Sequence, residues 1–130
     1  MSDTAHVLDA SALLCVMLGE PGADTVAALM SDAIIGTVNL SEVVAKLQER
    51  GVPDAVIDES LDELKLVIAP FETSHAVRAG KLRLVTRRFG LSLGDRACLA
   101  LAMATGGTAI TTDRAWAGLG LDVQVQLVRA

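Results

Sequence analysis

A chain of 130 residues suits one domain built round one core, here residues 1–130, with no room for a second. Hydrophobic residues make up 52% of it, yet they include one Trp, two Phe and no Tyr, so the filling is Leu, Val, Ala and Ile. The net charge of −5 argues against a simple electrostatic binder of nucleic acid, and no apolar run approaches the roughly 18 residues that span a bilayer.

His6-Val7-Leu8 reads as a short strand ending at Asp9, and Ser11 to Leu18 as a helix stopped by Gly19 and Pro21. The apolar stretch from Val7 is broken by Asp9 and Ser11 and lacks a basic leader, so a cytoplasmic protein without a signal peptide is expected. Val26, Leu29 and Met30 fall at helical spacing, and Ala33 to Val38 is a β-rich run. Asn39 closes that run and opens a helix over Leu40 to Arg50, which Gly51 ends. Asp54 to Lys65 is a further helix running into the strand Leu66 to Ala69. A long helix is expected over Thr73 to Arg88, then another over Leu93 to Ala104. Gly106-Gly107 leads to the strand Thr108 to Thr112 and a short helix around Trp116, which reads as a core anchor. Val123 to Val128 alternates apolar residues with Gln, the pattern of a half-exposed edge strand.

Five short strands separated by helices predict an α/β fold: a three-layer α/β/α sandwich with a mainly parallel sheet. Cys15 and Cys98 lie in apolar helical patterns without CxxC spacing and read as buried thiols. Charge is segregated. Asp54 to Glu63 carries five acids and no base, and Arg78 to Arg88 carries five bases and no acid.

Ligands of such sheets bind beyond the carboxyl ends of the strands. Asp9 and Asp113 directly follow strands, Glu42 lies in the first turn of a helix after the second strand, and Asp95 opens the helix before the fourth. All four should reach one edge of the sheet. Taken singly, each has a plainer explanation. Asn39-Leu40-Ser41-Glu42 and Ser92-Leu93-Gly94-Asp95 resemble capping boxes, while Asp9 and Asp113 can cap the helices that follow them. Taken together, four carboxylates at one edge beside Ser11, Ser41, Thr111 and Thr112 would repel unless a cation sat among them. All-oxygen ligands select Mg²⁺ or Mn²⁺ over zinc, and such a metal suits phosphoryl chemistry.

Val7-Leu8-Asp9-Ala10-Ser11 resembles the opening of PIN domains, and Asn39-Leu40-Ser41-Glu42-Val43 their second motif. Leu91 to Ala102 (LSLGDRACLALA) is similar to the third-motif helix of VapC-type toxins in particular, and Thr111-Thr112-Asp113-Arg114 resembles the fourth motif. The resemblance covers essentially the whole chain. It implies an endoribonuclease that cleaves phosphodiesters with metal-activated water. Asp9, Glu42 and Asp95 would be Mg²⁺ or Mn²⁺ ligands, with Asp113 completing the site directly or through water. Ser11 and Thr112 would hold carboxylates in place. It further implies a homodimer blocked by a small VapB-like antitoxin.

For RNA backbone contact the candidates are Arg78, Lys81, Arg83, Arg87 and Arg88, with Arg96 and Arg114 beside the acids. Lys46 either joins them or pairs with Glu42 four residues earlier. His6 and His75 have no Ser or Cys at suggestive spacing and are not read as catalytic. The alternatives are a PIN nuclease of RNA maturation and a PIN fold kept as an inactive binding scaffold. A HAD-type phosphatase would carry a second Asp where Ser11 stands. A receiver domain would carry a phosphoacceptor Asp where the third strand gives way to Pro70-Phe71.

Overall fold

The computed structural model describes residues 5–128. Its strands are β1 (His6–Leu8), β2 (Ala33–Gly36), β3 (Val67–Ala69), β4 (Thr108–Thr111) and β5 (Gln124–Leu127). They form one sheet in the order β3-β2-β1-β4-β5, and every pairing is parallel. The helices are α1 (Ala10–Leu18), α2 (Ala23–Ala27), α3 (Thr37–Glu49), α4 (Asp54–Leu64), α5 (Thr73–Lys81), α6 (Arg83–Thr86) and α7 (Leu93–Thr105). Single 3₁₀ turns lie at Met30–Asp32, Arg87–Phe89 and Arg114–Trp116. No described helix is long and apolar enough to cross a membrane.

Successive strand residues point to opposite faces, and in the central strands both faces are covered. Leu8, Ile35 and Ile110 pack with Ala12, Leu13, Val26, Val43, Leu47 and Ile57, so α1 to α4 cover one face. Val7 and Ala109 pack with Leu82, Cys98, Leu99, Leu101 and Trp116, so α7 and its neighbours cover the other. The sandwich, the buried Trp116 and the two buried free thiols match the reading of the sequence. The edge strand β3 is the least covered, with Val67 62% and Ile68 45% exposed.

Two local expectations change. The helix expected over Thr73–Arg88 breaks into α5, α6 and a 3₁₀ turn. Thr86 is buried, and its hydroxyl donates back to Leu82 O at 2.7 Å, a bond that bends helices. The helix expected to start at Leu40 begins at Thr37, because β2 ends at Gly36, which is its N-cap. Asn39 is therefore inside the helix and caps nothing.

The chain runs from β1 outward to β2 and β3, then returns to the far side of β1 as β4. Strand order thus reverses between β1 and β4, and in such sheets ligands bind beyond the carboxyl ends of the strands at that point.

Candidate active site

Asp9 and Asp113 stand at that edge because β1 and β4 end there. Asp9 N–H donates to Ile110 O at 3.0 Å, continuing the β1–β4 ladder one residue past the strand. Asp9 is also the N-cap of α1, accepting from Ala12 N–H at 2.8 Å. Asp113 caps the next 3₁₀ turn through Ala115 N–H at 2.9 Å, leaving its second oxygen outside the turn. Asp95 belongs to a full capping box with Ser92, as the sequence suggested. Capping and a shared edge therefore do not compete. Caps are what place these acids at the amino ends of helices, and those ends lie at the carboxyl edge of the sheet.

Asp9 is the deepest, 3% exposed; Glu42 and Asp95 are half-buried, and Asp113 is exposed at the rim. Two hydroxyls hold Asp9. Ser11 Oγ donates to Oδ1 at 2.7 Å and Thr111 Oγ1 to Oδ2 at 2.5 Å. Their direction is fixed by the backbone. Ser11 Oγ accepts from Thr112 N–H and Thr111 Oγ1 from Asp113 N–H, each at 3.0 Å, so both hydroxyl protons are free for the carboxylate.

Electrostatics tie the acids to one another. Burial pushes the Asp9 carboxyl up to about 6, the bonds from Thr111, Ser11 and Ala12 pull it down, and the charge of Asp95 adds to the rise. Burial also raises Glu42, with the Asn39 bond opposing and Asp95 adding. Asp95 is raised by burial, held back by its bonds to Ser92, raised by Asp113 and lowered by Arg96. Behind them the Cys98 thiol is driven up by burial first, then by Asp9, Asp95 and Glu42. Among the described residues no Lys or Arg forms an ion pair with any of the four acids. Negative charge is thus gathered where water is partly excluded, offset at Asp95 by the charge of Arg96 but, among the described residues, by no ion pair.

That arrangement calls for protons or for a cation. Among the described residues no three His, Cys, Asp or Glu side chains converge closely enough to enclose an ion by themselves. Mg²⁺ does not require that: it keeps several waters and is held by one or two carboxylates. The donor set, carboxylates backed by hydroxyls with no sulfur or imidazole, fits such an ion.

The other expected positions divide. Thr112 contributes its backbone N–H to Ser11 Oγ, and the threonine hydroxyl on Asp9 is that of Thr111. Arg96, read as a phosphate contact, is 8% exposed, and its guanidinium donates to Ala79 O at 2.9 Å. It points into the α5–α7 packing and is unavailable to RNA. Lys46 is exposed and lies 3.6 Å from Glu49, not against Glu42. Arg78, Lys81, Arg83, Arg87, Arg88 and Arg114 are exposed. Arg78 reaches Met103 Sδ, eight residues along α7 from Asp95 and so roughly 12 Å from it at 1.5 Å per residue. Asn39, missed as a site residue, is buried between Glu42 and α7.

The PIN domain family model matches residues 6–120, a span that contains all four acids. No curated protein matches the sequence. Among solved structures the chain is similar to VapBC2 from Rickettsia felis bound to a DNA fragment from its promoter, with TM-score 0.74, 16% identity, and coverage of 95% of this chain and 98% of that one. It is similar to VapC20 from Mycobacterium tuberculosis, a sarcin-ricin loop cleaving toxin, at TM-score 0.73 and 16% identity, covering 92% and 99%. A toxin–antitoxin complex from Klebsiella pneumoniae gives TM-score 0.69 at 21% identity, covering 89% and 93%. At these identities the likeness is one of fold.

Proposed function

Since the chain belongs to the PIN-domain family, we propose that it is a metal-dependent endoribonuclease of the VapC toxin type. One observation carries this reading: mutually repelling carboxylates, in no ion pair with a Lys or Arg among the described residues, stand at the point where strand order reverses. Asp9, Glu42 and Asp95 would hold Mg²⁺ or Mn²⁺, directly or through the waters it keeps, and Asp113 at the rim would join them in the same way. When bound, the ion supplies Lewis acidity toward a phosphodiester oxygen and lowers the pKa of a coordinated water.

The protein's own part is positioning. Ser11 and Thr111 keep both Asp9 oxygens oriented, and the Ser92 box keeps Asp95 on the first turn of α7. The exposed bases Arg78, Lys81, Arg83, Arg87 and Arg88 would take flanking phosphates, with Lys46 and Arg114 as further contacts. A small antitoxin is the proposed protein partner, supported by the toxin–antitoxin complexes among the structures of like fold, and the toxin is proposed to be a homodimer.

The test is cleavage of total cellular RNA by purified, antitoxin-free protein with Mg²⁺ or Mn²⁺, beside an EDTA control and Asp9→Asn. Cleavage that disappears with either the metal or the Asp9 carboxylate is expected. A folded wild-type protein that leaves RNA intact with both ions would favour the inactive-scaffold reading.

A further inference from the structure

Asn39 lies in the first turn of α3 and is 1% exposed. Its Nδ2 donates to Glu42 Oε1 at 3.0 Å, within its own helix, and to Gly94 O at 3.0 Å, on the first turn of α7. Both amide protons are used. The amide cannot be turned over, because its oxygen would then face a carboxylate oxygen and a carbonyl oxygen. Asn is a poor helix former, and a buried amide is unfavourable unless bonded. On packing grounds alone an apolar side chain would serve this position better.

Gly94 completes the arrangement. A Cβ there would overlap the Glu42 carboxylate, so Glu42 lies directly on the backbone of α7, one residue before Asp95. We infer that Asn39 is a positioning residue that, with Gly94 as its seat, fixes the Glu42 carboxylate relative to Asp95 and so sets the affinity of the site for a divalent cation. The inference rests on the reading of these acids as cation ligands. A side chain that merely tied α3 to α7 would need the bond to Gly94 O but not the bond to Glu42.

The test is isothermal titration of Mn²⁺ into the full chain for wild type, Asn39→Leu, Glu42→Gln and the double variant, with thermal melts run alongside. Removing a residue that orients a metal ligand lowers affinity about ten- to hundredfold, and that loss is expected for Asn39→Leu. If Asn39 acts through Glu42, the double variant binds Mn²⁺ within about twofold of Glu42→Gln alone, since coupled residues do not add. Asn39→Ala, a smaller excision, answers the same question should the leucine variant fail to fold. A lowered melting temperature with unchanged Mn²⁺ affinity, or additive losses in the double variant, would overturn the inference and leave the metal reading intact. Wild type that takes up no Mn²⁺ would overturn both.

Discussion

Thr111 Oγ1 donates to Asp9 Oδ2 at 2.5 Å while accepting the Asp113 N–H at 3.0 Å, so one hydroxyl links the deepest acid to the outermost. Thr111→Val keeps the shape and removes the donor. It should lower divalent affinity and RNA cleavage about 10–100-fold and destabilise the fold by about 1–3 kcal/mol, as it strands a buried group. Thr112→Val, next along the chain, should stay within about twofold of wild type. Equal losses in cleavage assays of the two variants would refute the assignment.

The raised Asp9 carboxyl makes metal-free stability depend on pH. Between the unfolded value of 3.8 and about 6, the folded protein keeps a proton that the unfolded chain has lost. Stability from this group therefore falls as pH rises through that window and is flat above it. The shift is worth on the order of 3 kcal/mol. Asp9→Asn should therefore gain on wild type from pH 4 to pH 7 in urea titrations run with EDTA. A constant difference between the two across that range would contradict it.

Divalent metal should reverse that loss. At a hundredfold excess over Kd a ligand bound only by the folded state adds about 2.7 kcal/mol. Wild type at pH 7 should thus melt higher with Mg²⁺ or Mn²⁺ than with EDTA, and Asp9→Asn should show little or no rise. A matching rise in the variant would place the ion elsewhere.

Arg96 and the surface bases should separate by readout. Arg96→Met removes the bond to Ala79 O inside the α5–α7 packing, so the melting temperature should fall while the salt dependence of RNA binding stays. Arg87→Ala or Arg88→Ala should leave stability nearly unchanged and reduce the slope of log K against log[salt] by about one if each neutralises a phosphate. The reverse pattern in binding titrations would return Arg96 to the RNA-contacting set.

Much of this protein was legible in the chain itself. Strands that bury both faces must be apolar and unalternating, as Val7-Leu8 and Ala109-Ile110 are. Acids that follow such strands or cap the next helix are confined to one edge by parallel topology. Asp9, Asp95 and Asp113 could be placed at that edge because each belongs to the cap of the helix or turn that begins there, so the local signal and the tertiary outcome agree.

Where local signals were degenerate, only the folded chain decided. Asn-x-x-Glu describes a capping box, but it also describes an i,i+3 pair inside a helix; the start of α3 at Thr37 and the carbonyl of Gly94, 55 residues away, select the second. Thr111 and Thr112 are interchangeable in composition, and the β4–β1 register, pairing Leu8 with Ile110, brings the Thr111 hydroxyl to Asp9. Arg96 adjoins Asp95 in sequence, but side chains one residue apart on a helix diverge by about 100°, leaving one half-buried near the other acids and turning the other into the core. Sequence determined which chemistry could gather at the edge, since strand and cap patterns are local. Which hydroxyl and amide serve it, and which guanidinium turns away from it, depended on register and helix packing, which arise only when distant segments meet.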